Sequence, residues 1–264
     1  MRITEAAAVG VALLTALWQP VEAQRTRDRP TLVFTISGAY NASTGLWSIP
    51  DQVVSVGPGL EDHFVLSRSI KRTLGAGFSG TYYRGKHLGL SAEAFLLGLG
   101  YDDACRLTPP AVVQGNVERC NSIDQKERSA AAVATSAGIV YRIAAGELIS
   151  PFARAHVGFL VNNQSPLLMI GETEAGAELV IYDDENKGTR LRPAFALGVG
   201  ATVALNPGYQ LRWEVRDNIV GIQRVTGPTA TFGVVPPHET AYKHIFGVTI
   251  GLDVILERQR GRRY

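Results

Sequence analysis

The sequence predicts an all-β fold, an antiparallel up-and-down transmembrane β-barrel of about eight strands. Three features carry that prediction: an export-type segment at the start, a period of two in the hydrophobic pattern after residue 30, and connections that alternate between short and long. A helix would show a period near 3.6, and the patterned stretches do not.

Residues 1–23 read as a cleaved secretory signal. Arg2 supplies the basic start, Ala6 to Trp18 is uncharged and mostly apolar, and Val21 and Ala23 place small residues before a cleavage point at Gln24. A membrane-spanning helix would need about 20 apolar residues, more than this run holds. Residues 24–30 form a short periplasmic segment, 31–256 the barrel, and 257–264 a basic C-terminal tail.

Strands are expected at about 31–40, 70–84, 86–100, 129–143, 149–162, 189–205, 208–217 and 241–256. In the clearest of them Leu191, Pro193, Phe195, Leu197, Val199, Ala201, Val203 and Leu205 share one face. In the seventh, Tyr209, Leu211, Trp213 and Val215 oppose Gln210, Arg212, Glu214 and Arg216. Tight turns at Gly85, at Ala144 to Glu147 and at Asn206 to Gly208 join strands two to three, four to five and six to seven. The other connections, 41–63, 101–127, 163–188 and 218–240, each exceed 20 residues. Compact domains rarely carry one structureless connection beyond about 12–15 residues. Four at one end of a meander match a membrane barrel, with short periplasmic turns and long extracellular loops. An even strand count puts both termini on the periplasmic side.

Composition narrows the alternatives. Among 264 residues, 19% are charged with a net charge of +2, and the basic residues are dispersed, which argues against a nucleic-acid partner. The polar faces are rich in Gly, Ala, Ser and Thr, with a few long charged side chains. Such residues suit a narrow interior, whereas the outer face of a soluble barrel would carry many more Lys and Glu. The 28 glycines include Gly75, Gly77, Gly89, Gly158, Gly198, Gly200, Gly247 and Gly251 on inward faces. On the apolar faces, Tyr82, Tyr141 and Tyr209 fall near the short turns and Tyr40 and Tyr242 near the long loops, as interfacial aromatics would.

On this pattern the chain resembles the small eight-stranded outer-membrane proteins of Gram-negative bacteria, the OmpA/OmpX-like β-barrel family, from about Thr31 to Leu256. The resemblance implies a bacterial outer-membrane location, contact with membrane lipid and lipopolysaccharide, and insertion by the barrel-assembly machinery. It also implies an aromatic residue closing the last strand. Here the strand ends near Leu256, followed by a basic segment and Tyr264, so either the strand runs further or the recognition aromatic lies inside it, for example Phe246.

The inward faces place Glu93, Arg154, His156, Arg212 and Glu214 at intermediate depth, Arg142 and Asp253 near the short turns, and Arg192 toward the loops. Charges in so confined a lumen should be paired and hydrogen-bonded. The expected role is structural or membrane-stabilising, or surface binding through the four loops, where a ligand would be held on a rigid scaffold. Two alternatives stay open: a narrow ion or small-solute channel, and a lipid-modifying enzyme built on His156 with Ser150 or Glu93. No catalytic motif, cofactor fingerprint or metal-ligand spacing is present. Cys105 and Cys120, the two cysteines of an exported chain, are expected to pair. The acidic run Asp183-Asp184-Glu185 reads as a solvated loop tip. Residues 52–56 and 178–182 would raise the strand count to ten if they joined the barrel.

Overall fold

A computed structural model describes residues 30–257 except 58–59, 109–112, 126, 129–130, 163, 185–189 and 207. The expected signal at 1–23, nearly all of the segment 24–30 and of the tail 257–264, and the Pro109-Pro110 step lie outside the described residues.

Eight strands close into one antiparallel barrel: β1 (Thr31–Asn41), β4 (Thr73–Tyr83), β5 (Leu88–Gly98), β8 (Ala131–Arg142), β9 (Ile149–Asn162), β12 (Arg190–Asn206), β13 (Tyr209–Val225) and β14 (His238–Glu257). Each pairs with its sequence neighbour in the barrel, and β14 closes on β1 from Thr31↔Glu257 to Asn41↔Gly247. Following paired residues once around the wall leads from Thr31 through Tyr83, Gly89, Val140, Arg154, Gly198, Arg216 and Gly247 to Asn41, ten residues further along β1. A stagger of ten over eight strands sets a strand tilt of about 40° and a backbone radius of about 8 Å. That lumen is only wide enough to be filled by side chains.

Alternation is inverted relative to a soluble protein. Outward residues such as Leu74, Trp213, Leu197 and Ile250 are exposed, while inward Glu93, Arg154, Arg212 and Glu214 are buried. At the short-turn end, Gly146 adopts φ +95°, the left-handed conformation that the tight turn between β8 and β9 requires.

The long connections are folded. The first contains β2 (Thr44–Gly57) and β3 (Leu60–Ile70), the second β6 (Tyr101–Leu107), helix α1 (Gln114–Gln125) and β7 (Glu127–Arg128), and the third β10 (Met169–Glu172) and β11 (Glu178–Tyr182). A four-stranded sheet of order β2-β3-β6-β7 and a two-stranded β10–β11 sheet stand beside the barrel. Residues 52–56 and 178–182 are therefore strands, but the barrel keeps eight. The reason is that both segments bury an apolar face against one another: Val54, Ile181 and Tyr182 belong to the same core as Phe64 and Leu66.

The fourth expected loop, 218–240, is a correction as well. β13 continues to Val225 and β14 starts at His238, with registered pairs from Asn218↔Ile245 to Val225↔His238. Val220, Gly221 and Ile222 are consecutive buried residues, so this stretch has no alternation to betray a strand. The acidic run is corrected too: Asp184 is buried.

The inner wall has no room beneath its charges. A Cβ on Gly198 would lie 2.0 Å from Glu214 Oε1, and one on Gly158 would lie 2.0 Å from the Thr135 carbonyl oxygen. Gly38, on the outer face of β1, has nothing within 4 Å of that position. Gly198→Val should therefore destabilise the barrel by about 2–3 kcal/mol in urea unfolding from lipid vesicles, and Gly38→Val by less than about 0.5 kcal/mol. Equal effects of the two substitutions would contradict this account of the wall.

Candidate functional site

The lumen is closed in three layers. At the short-turn end Val33, Tyr83, Val140 and Phe152 form a small apolar cluster. Two arginines use its rings as a floor: the Arg142 guanidinium lies 3.6 Å from the Tyr83 ring centroid and that of Arg212 4.2 Å from Phe152. Thr35 donates to Asp253 at 2.7 Å and accepts a long bond from Arg212 at 3.4 Å.

Above this floor sits the charge network. Arg154 donates through Nε to Glu214 Oε1 and through Nη1 to Glu93 Oε2, both at 2.6 Å. Arg216 Nη1 lies 2.5 Å from the other Glu93 oxygen and its guanidinium 4.5 Å from the Phe95 ring centroid. Two carboxylates thus meet two guanidinium groups, and the middle of the lumen is neutral. All four side chains are buried, as ion pairs in a narrow interior must be if they are to hold one another. The polar gap beside them, lined by Thr35, Ser37, Ser79, Arg212 and Thr249, amounts to about 10 Å³, room for roughly one water molecule.

The third layer is apolar. Phe95, Leu97, Ala132, Leu160, Ala194, Val220 and Ile245 occupy the lumen toward the long connections, leave a cavity of about 20 Å³ beside Arg216 and Asn218, and belong to the same core as the residues of the cap.

Of the residues singled out from sequence, Glu93, Arg154 and Glu214 come together directly. Arg142, Arg212 and Asp253 lie in the layer below. Arg192 stands apart, donating to the Gly221 carbonyl and to Gln223 at 3.2 Å. His156 approaches Ser136 through Nδ1 at 3.3 Å, whereas Ser150 donates to the Ala144 carbonyl at 2.5 Å and Glu93 is held by two arginines. The nucleophile–base arrangement imagined for an enzyme is not assembled there. Tyr40, Tyr82, Tyr141, Tyr209 and Tyr242 all face outward and are 45–54% exposed. Arg216 was the member missed, although it shares a strand face with Arg212 and Glu214.

The cap is tied by two buried polar residues that sequence reasoning passed over. Arg68 is 1% exposed and pairs with Asp103 through two hydrogen bonds. It also donates to the Leu168 carbonyl at 2.8 Å, and its guanidinium lies between the Trp47 and Tyr101 rings, 5.5 and 5.3 Å from their centroids. One side chain thereby joins three of the four connections. Its signal was a charge on the apolar face of the series Phe64, Leu66, Arg68, Ile70. Gln52 brings in the fourth connection: it donates to the Thr229 carbonyl at 2.8 Å and accepts from Tyr182 Oη at 2.9 Å. Burial pushes the Tyr182 phenol above its usual range, so it remains a donor. Cys105 and Cys120 are bonded, stapling α1 to β6 across a separation of 15 residues. Such a closure stabilises by about 3 kcal/mol on the chain-entropy view.

On the cap surface, His63 lies 2.7 Å from Asp51, and that hydrogen bond raises the imidazole above 6.5. The pair's contribution is complete below the ordinary histidine value and fades as pH rises through the raised one. Asp51→Asn should lower the His63 midpoint in an NMR titration; an unmoved midpoint would remove the cause assigned here. In the lumen, Arg154→Met strands two buried carboxylates and should cost about 3–5 kcal/mol in urea unfolding. Arg192→Met should cost less than about 1 kcal/mol.

No protein-family model matches the sequence, and no curated protein matches it. Solved structures do. The outer membrane protein OprG from Pseudomonas aeruginosa superposes with a TM-score of 0.50 at 9% identity, covering 88% of this chain and 98% of that one. Neisserial surface protein A gives a TM-score of 0.41 at 9% identity over 86% and 96% of the two chains. AlkL, solved in lipid bilayers, gives 0.37 at 14% identity over 91% and 96%. This chain therefore has the fold of the small eight-stranded outer-membrane β-barrels.

Proposed function

We propose that the protein is a bacterial outer-membrane barrel with periplasmic termini, and that it presents a rigid extracellular cap as a binding surface. One observation carries this reading: the four long connections form a single packed unit, tied at Arg68 and Gln52, above a filled lumen. Loops that fold on their own core lose little entropy when they engage a partner, which favours affinity. The apolar outer wall suits lipid, with lipopolysaccharide in contact with its outer rim, and a barrel-assembly machinery would insert it.

A solute channel is the weaker reading, because a path would have to cross the Glu93–Arg154–Glu214–Arg216 network and the apolar layer above it. A lipid-modifying enzyme based on His156 lacks its Ser150 partner.

Purified protein should show heat-modifiable mobility and no stable conductance steps in planar bilayers. On intact cells, external protease should cut the cap slowly in the native chain and faster after Cys105→Ser with Cys120→Ser, while the barrel stays folded. A steady open-pore current, or recovery of the protein as a soluble periplasmic species, would overturn the proposal.

A further inference from the structure

Among the described residues, the outward positions of the eight barrel strands between the lower aromatics and Tyr242 are glycine or apolar with three exceptions: Thr135, Asp217 and His244. The last two are neighbours on β13 and β14. Asp217 Oδ2 lies 2.6 Å from His244 Nδ1, and the imidazole stacks near-parallel to the Phe246 ring, with centroids 6.1 Å apart. The carboxylate side chain is 17% exposed and the imidazole 55% exposed. The ring therefore covers the acid and turns its other nitrogen toward the surroundings.

An ionisable pair on a lipid-facing wall is costly and calls for a functional explanation. Its height supplies one. Asp217 is eight positions beyond Tyr209 on the same strand, which at this tilt is about 20 Å along the barrel axis, against an apolar belt of about 25 Å. His244 stands two positions above Phe246, the cross-strand partner of Asp217, and so reaches the upper edge of the belt. Lipid headgroups begin at that level.

A further basic group borders the same patch. Two strands away, Arg72 is exposed beside Thr73, whose partner on β1 is Asn41. Between Arg72 and His244, Tyr40 faces outward, paired with Leu74 on one side and Val248 on the other. The patch thus presents the nitrogen donors of His244 and Arg72 above an apolar wall of Leu74, Tyr40 and Phe246.

We infer that His244, oriented by Asp217, and Arg72 form a binding site for the phosphate of an outer-leaflet lipid headgroup, whose acyl chains lie along the apolar wall below. When both ring nitrogens carry protons, Nδ1–H donates to Asp217 and Nε2–H is the one left to donate to a phosphate oxygen. Arg72 supplies the planar fork suited to the same group. The inference rests on the outer-membrane reading above.

The test uses the full barrel refolded into phosphatidylcholine nanodiscs doped with phosphatidic acid, with the ratio of the two lipids retained on the protein read by native mass spectrometry. The native chain should retain phosphatidic acid preferentially. Arg72→Gln with His244→Gln should reduce that preference about tenfold, and Asp217→Asn should reduce it as well. Lys86→Gln at the short-turn end should leave it unchanged. Millimolar inorganic phosphate should not displace the lipid. Unaltered ratios in heat-modifiable, folded variants would overturn the site while leaving the membrane barrel standing. So would displacement by free phosphate, or a retained polypeptide in place of lipid. Failure of the native chain to enter the bilayer would overturn both.

Discussion

A sheet whose outer face meets hydrocarbon has no water to satisfy its edges, so it must close. Most of this molecule follows from that requirement. Closure with eight strands and a stagger of ten produces a lumen of about 8 Å backbone radius, too narrow for bulk water and too wide to be left empty. The inward faces must then be filled, and the long side chains that do so need glycine beside them. Gly198 lies under both Glu214 and Arg154, and Gly247 lies against Asn41. The glycine excess and the buried ion pairs are two consequences of one radius.

The same strands serve two solvents. Along β13 the inward residues run Arg212, Glu214, Arg216, Asn218, Val220 and Ile222, from charged to apolar, as the wall rises out of the belt. Below the change, polar side chains face inward and apolar ones face lipid. Above it, apolar side chains face inward, as in a soluble domain, and merge with Leu46, Phe64 and Ile181 of the cap. The cap is thus continuous with the barrel interior. Arg68 and Gln52 satisfy carbonyl groups of neighbouring connections that an apolar core would otherwise leave unpaired.

This reversal decides what could be read from sequence. Strand count, the sense of the faces, the outward tyrosines and the inward positions of Glu93, Arg154 and Glu214 were legible, because lipid imposes strict alternation over ten residues at a time. The cap was not. Where both faces of a strand are covered, as at Val220 to Ile222, the period of two disappears and a strand resembles any apolar run. Pairing was also beyond reach: alternation places Arg216 on the correct face but does not say that Glu93, on a strand four positions around the barrel, lies opposite. The register between β5, β8, β9, β12 and β13 sets that meeting.

These arrangements constrain where activity can reside. The mid-lumen network is electrically balanced, and the two arginines below it, Arg142 and Arg212, rest on Tyr83 and Phe152 with Asp253 as the carboxylate of that layer. Opening a path would require separating buried partners at several kcal/mol each and expelling apolar side chains above them. Evolution of a new binding property inside the barrel would therefore threaten the fold. On the cap, by contrast, the outer faces of β2, β3 and β6 carry exposed Ser48 and Ala104 and half-buried Val53, His63 and Ser67 over the buried core. Substitutions at such positions alter the surface while the buried ties beneath keep its shape. That separation of support from display makes the cap, rather than the lumen, the part of the molecule free to specialise.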